Sequence, residues 1–240
     1  MRGAIVIPAY NEYARMNSQI EKYLELSKQY DMILVDDGSG DDTYRIGESL
    51  GWHVVRLSKN MGKGYAVRAG ILRALALTPE PSFIGFSDAD LSVSPEQWEK
   101  LISKLDEYDI VIGSRSMPDS IVKRSIPRKL ISKIFNHLVH EVLQLSVHDT
   151  QCGLKFFRPQ AARALFSEPL TANRYAFDIE ILLRARIMGL SFKETGVNWV
   201  ARDGSKVGIS APFEMLISLF KIINVYNGIK PLEYIKKTLL

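Results

Sequence analysis

Met32-Ile33-Leu34-Val35-Asp36-Asp37-Gly38-Ser39 is a short apolar run that ends abruptly in two acids, a glycine and a serine. Four consecutive apolar residues bounded by turn formers read as a strand buried on both faces, the kind a parallel sheet uses. The turn then leads through Asp41-Asp42-Thr43 into a helix to about Leu50. Upstream, Ala4-Ile5-Val6-Ile7 repeats the pattern and is closed by Pro8, with helix-like periodicity from Met16 to Gln29. Downstream, strands are expected at His53 to Leu57, Phe83 to Phe86 and Asp109 to Gly113, separated by helices from Lys63 to Ala76 and Pro95 to Glu107. The first 115 residues thus alternate strand and helix. This predicts an α/β fold with a mostly parallel central sheet, helices on both faces, and ligands at the carboxyl ends of the strands.

Those ends carry the polar clusters. Pro8-Ala9-Tyr10-Asn11-Glu12 follows the first strand, Asp36 to Ser39 the second, Asn60-Met61-Gly62-Lys63-Gly64 the third, Ser87-Asp88-Ala89-Asp90-Leu91 the fourth and Ser114-Arg115 the fifth. Each alone is explained by turns, caps or a solvated edge; together they look like one assembled site. Asp88 and Asp90 cannot both be buried without a counter-charge, because desolvating an unpaired anion is very costly. Hard oxygen donors suit Mg²⁺ or Mn²⁺, which commonly bind one or two carboxylates plus the phosphates of a substrate. The bland alternative is a pair of solvated turn aspartates. The glycine loop at Gly62 lets a helix N-terminus approach an anion, with Lys63 adding charge. It matches neither the Walker A loop nor the dinucleotide fingerprint, which counts against an NTPase and an NAD enzyme.

Composition narrows the partners. At 240 residues and 46% hydrophobic content the chain has ample material for a core. Thirty-one Lys and Arg against 27 Asp and Glu give a net charge of +4, which fits anionic small molecules or an anionic membrane surface and is too mild for nucleic acid. The single cysteine, Cys152, excludes an internal disulfide framework, suits a reducing compartment, and reads as a small buried side chain. Met1-Arg2 leads into an apolar run too short for a signal peptide, and no uncharged run reaches the 18 or so residues of a membrane span.

The second half is less regular. From Pro127 to Leu145 apolar residues fall on one helical face, while Lys123, Arg124, Arg128, Lys129 and Lys133 crowd its start. Such a segment is either a membrane-surface element or a core-packing helix with a solvated basic end. Ala211 to Tyr226 is also largely apolar and is expected to pack on the domain, on a second subunit or at a lipid surface. His137 and His140 lie three apart, but nothing nearby is spaced to complete a metal site, so they read as polar-face residues.

Ile7 to Glu12, Val35 to Ser39, Asn60 to Gly70, Ser87 to Leu91, Gly113-Ser114-Arg115, His148 to Phe157 and Phe177-Asp178-Ile179-Glu180 together resemble the inverting GT-A-fold glycosyltransferases of family 2. Within that family the chain is most similar to the polyprenyl-phosphate group, with Asp149 to Phe157 closer to dolichyl-phosphate glucosyltransferases than to mannosyltransferases. The resemblance implies a single domain over 1–240, with a nucleotide-sugar half (1–115), an acceptor half (116–210) and a C-terminal amphipathic helix and tail (211–240). It implies that Pro8, Tyr10, Glu12 and Asp37 hold base and ribose, Asp37 accepting from a ring N–H. Lys63, Asp88, Ala89, Asp90, Arg202 and Lys206 would complete the donor site, with Asp88 and Asp90 as the metal pair and Asp90 the direct ligand. Ser92 stands where related mannosyltransferases have a third ligand. Arg115, Arg128 and Ser132 match positions that bind the acceptor phosphate.

The chemistry expected of such a site is transfer of a hexose, with glucose from UDP-glucose favoured, to a polyprenyl (dolichyl-type) phosphate. It would take place at the cytoplasmic face of a membrane on a peripheral protein, with a second copy of the chain among the expected partners. Negative charge develops on the departing diphosphate, so a metal at Asp90 and cations at Lys63, Arg202 and Lys206 would stabilise it. A phosphate acceptor, with a second pKa of about 6, is largely dianionic and needs no base. A hydroxyl acceptor would need one, and Asp178 or Glu180 is the candidate, unless both are merely acids favoured at a helix start. Mannosyl transfer from GDP-mannose, transfer to a hydroxyl, a non-catalytic nucleotide-sugar-binding module and nucleotidyl transfer remain as alternatives.

Overall fold

A computed structural model describes residues 2–123, 147–200 and 211–226. Its centre is a seven-stranded sheet. β1 (Ala4–Ala9), β2 (Asp31–Asp36), β3 (His53–Arg56) and β4 (Ile84–Ser87) come from the first half together with β5 (Ile110–Ser114). A separate two-residue strand, β6 (Val122–Lys123), follows, and the second half supplies β7 (Leu154–Phe157), β8 (Phe192–Gly196) and β9 (Trp199–Val200). The order is β3-β2-β1-β4-β7-β5-β8, and β6 pairs with β9 in a small parallel ribbon.

β3, β2, β1 and β4 are mutually parallel, and β5 runs parallel to β8. β7 alone is antiparallel and inserts between β4 and β5. The expected mostly parallel sheet is therefore present, but two neighbours in sequence, β4 and β5, are parted by a strand from the other half of the chain. The reversal matters for the site. Because β7 runs the opposite way, its entry segment, residues 149–153, arrives at the same sheet edge as the carboxyl ends of β1, β2, β4 and β5.

The strands form because alternate side chains have a core on each side. Val6, Ile33, Val35, Phe86, Ile112 and Phe157 face one cluster; Ile5, Ile7, Met32, Leu34, Val111 and Phe156 face the other. Burying a side chain of that size stabilises the fold by about 1.5–3 kcal/mol. On the first face lie α4 (Lys63–Leu75), α6 (Pro159–Phe166), α7 (Phe177–Met188) and α8 (Ala211–Tyr226), each giving residues to that cluster. The second face is covered by α1 (Tyr13–Asn17), α2 (Ile20–Gln29), α3 (Thr43–Ser49) and α5 (Trp98–Ile102), the last with fully buried Trp98.

Several boundaries differ from the sequence expectation. The single helix from Met16 to Gln29 is two helices, broken at Ser18-Gln19, where the Gln19 amide donates to Asp90 O at 3.1 Å. The helix from Pro95 to Glu107 is one α-turn, α5, between tighter turns at Pro95–Gln97 and Ser103–Asp106. The fourth and fifth strands begin and end one residue later than expected. α7 is buried on all sides from Phe177 to Ala185, so Asp178 and Glu180 are not solvated helix-start acids. The expected helix over 127–145 lies outside the described residues.

Candidate active site

Backbone geometry at the strand ends fixes the loops first. Asn11, at positive φ, donates its N–H to Ser39 Oγ (2.8 Å) and accepts Gly40 N–H on Oδ1 (2.8 Å), so the loops after β1 and β2 brace each other. Glu12 N–H donates to Thr43 Oγ1 (2.8 Å), and the Glu12 carboxylate pairs with Arg15 at 2.6 Å. Pro8 and Ala9 end β1, leaving Tyr10 as an exposed ring at its mouth.

Asp37 does local work that the sequence did not reveal. Its carboxylate accepts the N–H groups of Met61 (2.7 Å) and Gly62 (2.9 Å), tying the end of β2 to the start of α4. Burial pushes this carboxyl up, and the two N–H donors and nearby Arg174 only partly oppose that. Gly62 sits at φ 100°, and a Cβ there would lie 2.5 Å from Asn173 O. Only glycine fits both demands. Asn173 also accepts Tyr65 N–H at 3.1 Å, so segment 171–176 packs along the glycine loop.

The acid pair forms a tight turn. Leu91, at φ 47°, donates its N–H to Asp88 O (3.1 Å), and Ser92 N–H donates to Asp90 Oδ1 (2.9 Å). Buried Tyr23 donates its hydroxyl to Ala89 O at 2.5 Å, and Gln19 holds Asp90 O. Asp88 N–H donates to Gly153 O (3.1 Å), and a Cβ on Gly153 would lie 2.0 Å from Asp88 Oδ2. The β7 entry therefore presses on Asp88 from behind, at a glycine. Lys63 Nζ lies 2.5 Å from Asp88 Oδ1. Burial works against the charged amine, yet Asp88 and Asp178 outweigh it and hold Lys63 well above the usual lysine range.

Among the described residues no three His, Cys, Asp or Glu side chains converge into a closed metal cage. Asp88 and Asp90 offer instead an open edge of hard oxygens, the donor set that fits Mg²⁺ or Mn²⁺ completed by phosphate and water. Among the described residues Ser92 Oγ is buried and has no hydrogen-bond partner.

Arg115 is not a bare cation. Its Nε and Nη2 donate to Asp149 Oδ2 and Oδ1 at 2.7 and 2.8 Å, and its backbone N–H donates to Oδ2 at 2.8 Å. Burial would raise the Asp149 carboxyl; the Arg115 guanidinium and its hydrogen bonds outweigh this and hold it at about 2. Glu194 in turn accepts the N–H groups of His148 and Asp149, both at 2.9 Å.

Both residues expected as a base for a hydroxyl acceptor are buried and hydrogen-bonded. Asp178 is buried and accepts from Lys155 Nζ at 2.5 Å; Lys155 is itself fully buried and also donates to Thr150 O and Cys152 O. Glu180 is fully buried and accepts four hydrogen bonds, from Thr171 N–H, Ala172 N–H, Arg184 Nη2 and Tyr226 Oη. These bonds anchor segment 171–176 and α8, and they engage the carboxylate that a hydroxyl acceptor would have needed as its base. Arg128, Ser132, Arg202 and Lys206 lie outside the described residues.

The structure thus brings Asp37, Lys63, Asp88, Ala89 and Asp90 to one sheet edge, with Tyr10 and Glu12 beside them on the loop after β1. It adds Asp149, Lys155, Gly153 and Arg174, which motif reading did not assign. Lys155 was detectable in principle, since a lysine inside Leu154-Lys155-Phe156-Phe157 must be paired if that run is a buried strand. Burial also pushes the Cys152 thiol up to about 11, which fits an inert core residue.

A family model described as Glycosyl transferase family 2 matches residues 4–166. The dolichyl-phosphate beta-glucosyltransferase of Dictyostelium discoideum is 33% identical, covering 92% of this chain and 72% of its own length. The enzymes of that name from Drosophila melanogaster and Homo sapiens are each 34% identical over 85% of this chain and 68% and 69% of theirs. Glucosyl-3-phosphoglycerate synthase from Mycobacterium tuberculosis, solved with Mn²⁺, UDP and glucosyl-3-phosphoglycerate, superposes with a TM-score of 0.71 at 20% identity, covering 93% of this chain and 80% of that one. That likeness shows the fold.

Proposed function

The chain belongs to glycosyl transferase family 2, and from that premise we infer that it transfers glucose from UDP-glucose to a polyprenyl phosphate of the dolichyl type, with inversion, at a membrane surface. The observation that carries this reading is the Asp88-Ala89-Asp90 turn, held open at the sheet edge with Lys63 against it. The relatives' name supplies the sugar and the acceptor class. The neighbour's bound Mn²⁺ and UDP support a divalent cation and a uridine donor.

When bound, the cation would be held by Asp90 and Asp88 and would supply positive charge to the departing diphosphate. The rest falls to the chain's own groups. Asp37 has one lone pair left on each oxygen after taking two backbone N–H groups, enough to accept a ring N–H of the base. Lys63 stands where it can turn from Asp88 to a phosphate oxygen. Arg115 keeps N–H groups not engaged by Asp149 for the acceptor phosphate, its plane fixed by the two-pronged pair. Arg128 and Ser132 are proposed as further acceptor contacts, and Arg202 and Lys206 as donor-phosphate contacts.

No general base is required, because the acceptor is already anionic near neutral pH. The burial of Asp178 and Glu180 supports this acceptor over a hydroxyl, which would need one of them free. Positioning donor and acceptor in line then supplies much of the rate. Ile217, Phe220 and Val225 on the outer face of α8 are exposed, which supports membrane contact; we place the protein peripherally at the cytoplasmic face. No described helix is long and apolar enough to cross a membrane.

The test is incubation of the purified protein with Mg²⁺ or Mn²⁺, a panel of nucleotide sugars and a polyprenyl phosphate, read by mass spectrometry. A hexosyl-phospholipid formed with UDP-glucose is expected. A product only with GDP-mannose would overturn the donor assignment, and no product with any donor would overturn the reading.

A further inference from the structure

Lys63 is tied to one of the two carboxylates assigned to the metal. Its Nζ lies 2.5 Å from Asp88 Oδ1, with the two side chains 24% and 37% exposed, so the pair sits at the mouth and not in the core. The neighbouring anion behind it, Asp178, is already matched by Lys155 and buried. On the remaining side Lys63 Nζ stands 5.9 Å from the centroid of the Phe177 ring. The ammonium begins the first turn of α4, where Gly62 and Asp37 fix its backbone.

We propose that Lys63 is a resident counter-ion that competes with the divalent cation for Asp88, so that the metal binds well only when a diphosphate arrives to take up the lysine. This rests on the assignment of Asp88 and Asp90 to the metal made above. The physical reason is charge balance. Two carboxylates and one ammonium leave a net charge of about −1 at the turn, and adding a dication while Lys63 stays in place sets like charges side by side. Asp178 also attracts Lys63, but its Oδ1 is engaged by Lys155, so the carboxylate that Lys63 pairs with directly is Asp88. A diphosphate brings the missing negative charge, accepting Lys63 and ligating the metal together. Binding of metal and nucleotide is then coupled, and by linkage each raises the affinity of the other.

The inference gives Lys63 a second role beside contact with a phosphate. It keeps Asp88 ionised, oriented and matched in the free protein, and it makes the site selective for the metal–diphosphate pair over the bare metal. A lysine suits that task, being a compact charge on a flexible stem that can turn from one anion to another.

The experiment measures Mn²⁺ binding by titration calorimetry and by electron paramagnetic resonance of free Mn²⁺, without and with saturating UDP. The proteins compared are the unmodified chain, Lys63→Met, Lys63→Gln and Lys63→Arg, each checked for folding by thermal melting. The pair is partly exposed, so the neutral variants leave Asp88 hydrated. Tighter Mn²⁺ binding without UDP in the neutral variants, by about tenfold or about 1.4 kcal/mol, is expected. The tightening that UDP brings should shrink in the same variants, while Lys63→Arg keeps the weak metal-only binding. Unchanged or weaker Mn²⁺ binding in both neutral variants, with the unmodified chain binding Mn²⁺ in the presence of UDP, overturns the inference alone. No Mn²⁺ binding by any of the proteins, with or without UDP, overturns the metal assignment itself and this inference with it.

Discussion

Glu180 shows how much the reading of a single position depends on its contacts. In sequence it is an acid two residues from another acid at a helix start, a reasonable base; in the fold it is a fully buried acceptor of four hydrogen bonds. Changing Glu180→Gln removes the charge that matches Arg184 and leaves that guanidinium buried beside a neutral amide. A loss of about 3–5 kcal/mol in folding stability is expected from denaturant titration, with turnover per folded molecule roughly unchanged. A fall in turnover by about 10²–10⁴ without loss of stability would mark it as a base after all. Asp37 and Arg115 teach the complementary point. Both lie at the strand ends, but each already has a structural partner, so in the proposed roles each has only the bonding capacity left over. Sequence shows that a carboxylate or guanidinium is present; only contacts show what remains of it.

At the level of elements, α8 presents a buried and an exposed face. Leu219, Ile222 and Tyr226 are buried in the cluster that α7 shares and Met215 is buried as well, whereas Ile217, Phe220 and Val225 face out. Leu219→Ala should therefore cost about 2–5 kcal/mol of stability, measured by chemical denaturation. Phe220→Asp should leave the melting temperature nearly unchanged and reduce co-sedimentation with anionic liposomes. If Phe220→Asp sedimented with vesicles as the unmodified chain does, the outer face of α8 would not be the membrane contact. The element that decides the site is β7. Its antiparallel course turns residues 149–153 toward the strand ends, where Asp149 meets Arg115 and Gly153 backs Asp88. No periodicity in the chain announces that insertion, because an antiparallel buried strand and a parallel one look alike in composition.

For the molecule as a whole, the buried ion pairs set an acid limit. The Asp149 carboxyl is held at about 2 in the folded chain, below the ordinary aspartate value of about 3.9. A depressed carboxylate favours the fold above its unfolded value, and the stabilisation is lost as pH falls toward the folded one. Between about pH 4 and pH 2 this group should therefore release about 2–3 kcal/mol. Acid unfolding followed by circular dichroism should be steeper for the unmodified chain than for Asp149→Asn, which is less stable at neutral pH and has less to lose. Equal slopes would show that other carboxylates govern the acid limb. Apolar runs such as Ala4-Ile5-Val6-Ile7 and Met32-Ile33-Leu34-Val35, separated by helical segments, determined the class of fold and the sheet edge where the polar clusters gather, since hydrophobic period and turn chemistry are local properties carried by the chain itself. The Asp88-Ala89-Asp90 turn and the glycine loop at Gly62 were legible for the same reason. Which charges face one another was not. Lys63 meets Asp88, Arg115 meets Asp149 and Lys155 meets Asp178 across 25, 34 and 23 residues of chain. Such pairings depend on strand order and helix packing, which arise from the burial of the whole core, so only the tertiary structure could decide which acid meets which cation.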